Sequence, residues 1–315
     1  MRLRMDRRQW LKTSLATAVY GGLATSGSTF CSGNAPEASF RFVHLTDIHV
    51  QPELRAAEGL AACLEAVERL APKPDFILTG GDLIMDALGQ TAERSLMQFD
   101  LLLKTFSAYS SLPVYHCIGN HDVFGWQKKF GVSESHPQYG KKMYCEKLSL
   151  EKTYYYFDHK GWRFYVLDTI LPSTQYTYEG GLDEEQWDWL RRELQSKPSD
   201  MPAVVVGHIP FLTVTVMPDA VSDGRFVIPA PNVCRNGQQA ALLFAQYNVR
   251  LALSGHIHMV DRVSYRGVEF ICGGAVSGGW WKGPNKGFEE GFGIIDLEPT
   301  GRVQYTYFDY GWRTE

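Results

Sequence analysis

Five short apolar runs in this chain each end on side chains that bind metal ions. Residues 40–45 lead into Asp47-Ile48-His49, and 76–79 into Gly80-Gly81-Asp82. Residues 114–118 lead into Gly119-Asn120-His121-Asp122, 203–206 into Gly207-His208, and 249–253 into Gly255-His256-Ile257-His258. An apolar run that ends in polar residues is how a buried strand of a parallel α/β sheet reads, and such sheets place their ligands at the carboxyl ends of the strands. The intervals between the motifs are roughly 35, 38, 88 and 48 residues. Each is long enough for a helix or hairpin to return the chain to the same sheet edge.

The intervening segments support this reading. Apolar residues recur at helical spacing over 54–70, which stops at Ala-Pro-Lys-Pro, and over 91–109. A third helix is expected over 183–194, with Asp183 and Glu184 at its start, and a fourth over 238–247. Residues 153–169 read as a hairpin around His159-Lys160-Gly161. Residues 123–152 are aromatic, Lys-rich and aperiodic, and resemble an insertion; 209–236 read as a long loop and 260–310 as a β meander. His44 and His116 fall inside strands and His159 in a turn, so these three are expected to be structural.

The first 33 residues are of another kind. A basic start, MRLRMDRRQ, is followed by a weakly apolar middle and a small, polar end, the pattern of an export signal. Arg7-Arg8 followed by Gln9, Trp10, Leu11 and Lys12 resembles a bacterial twin-arginine signal. The expectation is an exported protein, periplasmic or at the cell surface, that engages the twin-arginine machinery through 1–33. A single catalytic domain is expected over 40–312. The chain carries −4 overall; Arg2, Arg4, Arg7, Arg8 and Lys12 against Asp6 leave +4 on the leader and −8 on the rest. An acidic chain of this kind is not expected to bind a nucleic acid polymer. No stretch reaches the roughly 18–20 apolar residues of a membrane-spanning helix. The cysteines beyond Cys31 are dispersed, with no C-x-x-C pair and no disulfide framework.

The ligand types narrow the chemistry. Asp and Asn supply hard oxygen and His supplies borderline nitrogen, a mixture suited to Mn, Fe, Zn or Co rather than to Ca²⁺ or a thiolate-bound metal. Seven ligands are too many for one catalytic ion that keeps an open position. They suit two ions about 3.5–4 Å apart sharing a carboxylate, the arrangement used in phosphoryl chemistry. In D-x-H and H-x-H, residues i and i+2 of an extended segment point to one side, so both could reach one centre.

D-x-H, G-D, G-N-H-D, G-H and G-H-x-H in this order resemble the calcineurin-like metallophosphoesterase superfamily over about residues 42–260. The resemblance implies an α/β fold of four layers, α/β/β/α, with two mixed sheets flanked by helices. It implies that Asp47, His49 and His258 hold one metal ion, that Asn120, His208 and His256 hold the other, and that Asp82 bridges them. His121 matches the family's catalytic histidine and would act as general acid, with a hydroxide held by the metals as nucleophile. Met85 stands where purple acid phosphatases carry a metal-binding Tyr, which removes the phenolate ligand. The Ser/Thr phosphatases' substrate arginines after G-D and G-N-H are also missing. The compact loops look more similar to bacterial phosphodiesterases of the cyclic-nucleotide and glycerophosphodiester type. Which residue orients His121 stays open between Asp86, Asp122 and neither.

The expected reaction is therefore hydrolysis of a phosphate ester, a diester before a monoester. The alternatives are a broad phosphomonoesterase and a non-catalytic binding protein on the same fold. Phe124 and Trp126 in the insertion, and Trp280 and Trp281 in the 273–288 segment, are the candidate substrate contacts, because aromatic faces beside lysines could hold the group attached to phosphate.

Overall fold

The computed structural model describes residues 38–217, 221–222 and 224–314. The export reading of 1–33 lies outside the described residues, which all fall in one compact unit. Strands alternate with helices from the start: β1 (Phe40–Leu45), α1 (Ala56–Glu68), β2 (Ile77–Thr79), α2 (Ala92–Tyr109) and β3 (Val114–Tyr115). The insertion carries α3 (Lys142–Leu148) and is followed by β4 (Tyr155–His159), β5 (Trp162–Val166), β6 (Ile170–Ser173) and β7 (Thr177–Gly180). Then come α4 (Glu184–Ser196), β8 (Ala203–Val206), a small pair β9 (Val221–Ser222) and β10 (Arg225–Phe226), and α5 (Gly237–Gln246). The chain ends with β11 (Val249–Ser254), β12 (Asp261–Tyr265), β13 (Val268–Cys272), β14 (Gly291–Leu297) and β15 (Val303–Asp309).

Two large mixed sheets result. One has the order β15-β14-β1-β2-β3 and the other β12-β13-β11-β8-β5-β4. β1, β2 and β3 run parallel to one another, as do β5, β8, β11 and β13. Alternation along each strand explains the layering, because successive side chains point to opposite faces. Phe40, Phe42, Phe76 and Leu78 of the first sheet meet Phe164, Val166, Val204, Val206, Leu251 and Leu253 of the second in one buried cluster. Phe42 and Phe76 stack at 5.1 Å, and Phe164 meets both edge-on at 5.4 and 5.3 Å. The intervening residues face outward under helices. Val43, Leu45 and Ile77 share the outer core with Leu60 and Leu64 of α1 and Phe99 and Leu102 of α2; Tyr165, Val205 and Ala252 share it with Leu190 of α4 and Phe244 of α5. The four-layer α/β/β/α expectation matches this arrangement.

The helix starts follow their chemistry. Thr91 caps α2 by accepting the Arg94 N–H, and Asp183 caps α4 by accepting that of Gln186, ahead of Glu184 and Glu185 in the first turn. Two expectations need correction. The insertion is not wholly irregular, since α3 buries Met143 and Tyr144; a two-turn helix is too short for its period to show among surrounding lysines. The 260–310 tail is not one meander. Its first hairpin, β12–β13, edges one sheet and its second, β14–β15, edges the other. The crossing segment, 273–290, therefore passes the carboxyl ends of the central strands. Cys63, Cys117, Cys145, Cys234 and Cys272 are all unpaired.

Candidate metal centre

The parallel strands of both sheets deliver their carboxyl ends to one place. Asp47 and His49 follow β1, Asp82 follows β2, Asn120 follows β3, His208 follows β8, and His256 and His258 follow β11. Asp47, His49, Asp82, Asn120, His208 and His258 are buried, and His121 and His256 half-buried. All seven ligand candidates and His121 converge. Asp47 Oδ1 lies 3.2 Å from His258 Nε2 and 3.9 Å from His49 Nε2. His208 Nε2 lies 3.1 Å from Asn120 Oδ1 and 3.3 Å from His256 Nδ1. Asp82 Oδ2 reaches both groups, at 3.6 Å from His49 Nε2 and 3.1 Å from His208 Nε2.

This donor set fits a pair of metal ions. Lone-pair atoms crowd together with too few protons among them: His49 Nε2 and His258 Nε2 stand 3.1 Å apart. Ligand atoms of Asp47, His49 and His258 lie within 4.8 Å of one another, as do those of Asp82, His208 and His256. His208 and His258 donate their Nδ1–H to the Gly80 and Gly278 carbonyls, at 2.8 and 2.6 Å. That bond holds each ring in the tautomer whose Nε2 is free to ligate.

Each metal-side carboxylate also ties one motif to the next. Both Asp47 oxygens accept the His256 backbone N–H at 3.0 Å. Asp82 Oδ1 accepts that of His121 at 2.8 Å. Asp122 accepts from Leu83 (2.9 Å), Ile84 (3.2 Å) and Gly119 (2.8 Å), so it braces the G-D and G-N-H-D loops rather than the His121 ring. Burial, with the nearby Asp82 charge, pushes its carboxyl up to about 8. Burial opposes a charge on His208, but the Asp82 and Asp47 carboxylates more than offset it and raise the imidazole to about 9. Burial also works against charge on Asp82, yet His208 and His121 hold its carboxyl well below the usual range.

One backbone feature departs from expectation. Asp47, His49, His256 and His258 all have positive φ (54°, 47°, 73° and 56°), so neither D-x-H nor H-x-H is extended. The left-handed residues curl each loop; after β1 the curl keeps the two ligands on the centre while Ile48 enters the core. Strain of this kind persists where surrounding contacts over-determine it. The glycines that precede Asp82 and His256 serve different ends. Gly81 takes φ 92°, whereas Gly255 makes room, since a Cβ there would lie 1.9 Å from Thr46 Oγ1 and 2.3 Å from Asp47 Oδ2.

His121 lies edge-on to His49, ring centroids 4.8 Å apart. Its Nδ1–H donates to the Met85 carbonyl at 2.7 Å, and Asp86 Oδ1 lies farther off at 4.0 Å. The main chain thus orients the ring and leaves Nε2 as the nitrogen that can hold or give a proton. No side-chain motif could have signalled a carbonyl acceptor.

The four aromatic candidates separate. Phe124 is wholly buried and packs on His136 at 5.2 Å, and Trp281 is 1% exposed, so the expectation that they touch substrate is corrected. Trp281 instead donates its indole N–H to the His49 carbonyl at 2.9 Å. Trp126 is half-buried, with Lys141 Nζ 5.6 Å from its ring centroid. It lines a cavity of about 750 Å³ with Lys128, Tyr139, Ser173 and Gln175. Trp280 lies against the centre itself, 4.6 Å from the His258 ring. Sequence reasoning did not single out Tyr178 of β7, whose ring sits 6.1 Å from that of His256. His44 is buried, as a structural residue should be, though neither ring nitrogen has a partner.

Fold and site together define a phosphoesterase-type architecture with His and Asp groups that could hold metal ions. The description "calcineurin-like phosphoesterase" matches residues 40–260, and the chain belongs to that family. A bovine serine/threonine-protein phosphatase CPPED1 is 25% identical over 233 residues, which is 72% of this chain and 66% of that protein. The 3',5'-cyclic adenosine monophosphate phosphodiesterase CpdA of Pseudomonas aeruginosa is 27% identical over 232 residues, 71% of each chain. Among solved structures, GAP50, the anchor in the inner membrane complex of Plasmodium, superposes with TM-score 0.52 at 14% identity. It covers 89% of this chain and 87% of that one, a likeness of fold.

Proposed function

We propose that this protein hydrolyses phosphodiesters in preference to phosphomonoesters. The observation that carries the reading is the convergence of seven ligand atoms with one histidine whose tautomer the main chain holds. Asp47, His49 and His258 would seat one metal ion, and Asn120, His208 and His256 the other, with Asp82 shared. Ions in this seat supply Lewis acidity toward a phosphoryl oxygen and make water a nucleophile near neutral pH.

The chain's own groups do the rest. Burial of the ligand side chains would keep bulk water from the reacting phosphate, and fixed groups stabilise charge more strongly where water is excluded. Water oxygen forms the new bond to phosphorus, and the proton it loses passes to solvent. The bond to the departing alcohol breaks with its electron pair on oxygen, and His121 Nε2 supplies the proton that oxygen takes up. The Met85 carbonyl holds the ring ready for that transfer.

The rim favours a diester. Aromatic side chains pack on the ligand rings, Tyr178 on His256 and Trp280 on His258. A monoester dianion calls for added cationic side chains, and a diester monoanion does not. The cyclic-nucleotide phosphodiesterase relative supports the same preference, while the phosphatase relative supports a monoesterase. The test is kcat/KM on bis(p-nitrophenyl) phosphate against p-nitrophenyl phosphate, with protein reconstituted with Mn²⁺, Fe²⁺ or Zn²⁺. The diester should be preferred. A tenfold preference for the monoester would overturn the proposal.

A further inference from the structure

Trp280 and Trp281 are consecutive, large, non-glycine residues that both adopt the left-handed backbone region, with φ 56° and 66°. Such residues visit that region at a cost of roughly 1–2 kcal/mol each. An outlier of this kind points to a use when its surroundings hold it in place. Here the holding is extensive. The Trp281 indole packs against Gly59 of α1, where an added Cβ would come within 2.1 Å of the ring. Its other contacts are Trp312, edge-on at 6.2 Å, and the His49 carbonyl. Ser277 donates its hydroxyl to the Asp47 carbonyl at 2.8 Å, and its N–H to the same oxygen at 3.2 Å. Asn285 donates to the His258 carbonyl at 3.1 Å. The loop is thus pinned to both the D-x-H and H-x-H segments, and Trp280 is the member of the pair left 39% exposed.

Its position relative to the centre is specific. The indole covers His258 at 4.6 Å and approaches His49 at 6.1 Å. His49 is also the ring that His121 meets edge-on. Trp280 and His121 are thus both neighbours of the His49 ring, whereas Tyr178 stands by His256. A group protonated by His121 would thus leave within reach of the residues around the His49 ring, Trp280 among them.

We propose that Trp280 is a specificity-determining residue that stacks on the departing group, and that the preferred substrates are phosphodiesters whose leaving alcohol carries a flat aromatic or heteroaromatic ring. This rests on the phosphodiesterase reading. A fixed indole costs little to order and gives a planar partner one whole face. The strained backbone presents that face, and a surface tryptophan on a mobile loop would not.

The test uses phenylphosphonate and methylphosphonate as probes that cannot turn over, titrated into the metal-loaded full chain by calorimetry. The wild type should bind the phenyl compound about tenfold more tightly, in line with one stacked ring. Trp280→Ala should bring the two affinities within about twofold with metal content unchanged, and Trp280→Phe should restore most of the difference. If the phenyl preference survives Trp280→Ala, or both affinities fall equally, Trp280 only shields His258 and this proposal fails alone. If neither phosphonate binds the metal-loaded wild type, the phosphoesterase reading fails with it.

Discussion

The role proposed for His121 depends on atoms outside the motif that contains it. Gly119-Asn120-His121-Asp122 places an imidazole beside the ligand set, but its proton position depends on the Met85 carbonyl at 2.7 Å. A ring held this way carries Nδ1–H to the main chain and works through Nε2. His121→Ala should keep both metal ions, because the ligands themselves remain. It should lose about 10²–10⁴-fold in kcat/KM on diesters of poor leaving groups, and much less on p-nitrophenyl esters, which need no proton. Unchanged turnover of alkyl diesters in that variant would remove the general-acid role. Asp122 offers the complementary lesson. It sits next to His121 in sequence, yet its carboxyl serves three backbone N–H groups of two loops. Adjacency in the chain could not tell those roles apart.

At the scale of elements, the strand ends were legible and the loop geometry was not. Apolar runs followed by a ligand, after Gly in all but the first, announced β1, β2, β3, β8 and β11 and the side chains they deliver. What periodicity could not show is the left-handed curl at Asp47, His49, His256 and His258, since positive φ in non-glycine residues leaves no mark in composition. The same holds for close approach. At Gly255 the backbone passes so near Thr46 and Asp47 that any side chain collides with a ligand carboxylate. Gly255→Ala should therefore displace Asp47, lower metal affinity, and cost about 3 kcal/mol of stability through overpacking. Elemental analysis and urea unfolding of the variant read both effects; two tightly held ions in the alanine protein would show that the fit is looser than the distances require. The short elements that periodicity missed, α3, β6–β7 and β9–β10, are too brief to display a period.

At the scale of the whole molecule, the metal seat couples to protonation. In the metal-free protein Asp82 and Asp47 hold a proton on His208, whose pKa lies near 9, and that proton must leave before Nε2 can bind an ion. Metal loading at pH 7 should therefore release about one proton from this ring, and the apparent affinity should rise with pH until about 9. The sign for stability follows from a folded pKa above the unfolded value of about 6.5. The imidazolium–carboxylate pairing stabilises the metal-free protein fully below about pH 6.5, and that contribution is lost as pH rises through 9. Calorimetric loading in buffers of different ionisation enthalpy measures the proton count. No release at pH 7 would mean that His208 is already neutral.

The order of motifs, their spacing and the residue types were enough to single out the seven ligand candidates, because metal chemistry restricts which side chains can serve and a parallel sheet restricts where they can stand; the layers and His121 came from the family those motifs resemble. Strand ends repeat along the chain, so they can be read from it. The tertiary structure alone decided which carbonyl aims His121, that Trp281 is buried and Trp280 partly exposed, and that the last two hairpins edge different sheets. Those outcomes depend on backbone atoms and on neighbours hundreds of residues apart, such as Trp281 at the carbonyl of His49. Every residue carries the same peptide groups, so nothing in the order of side chains records which of them meet.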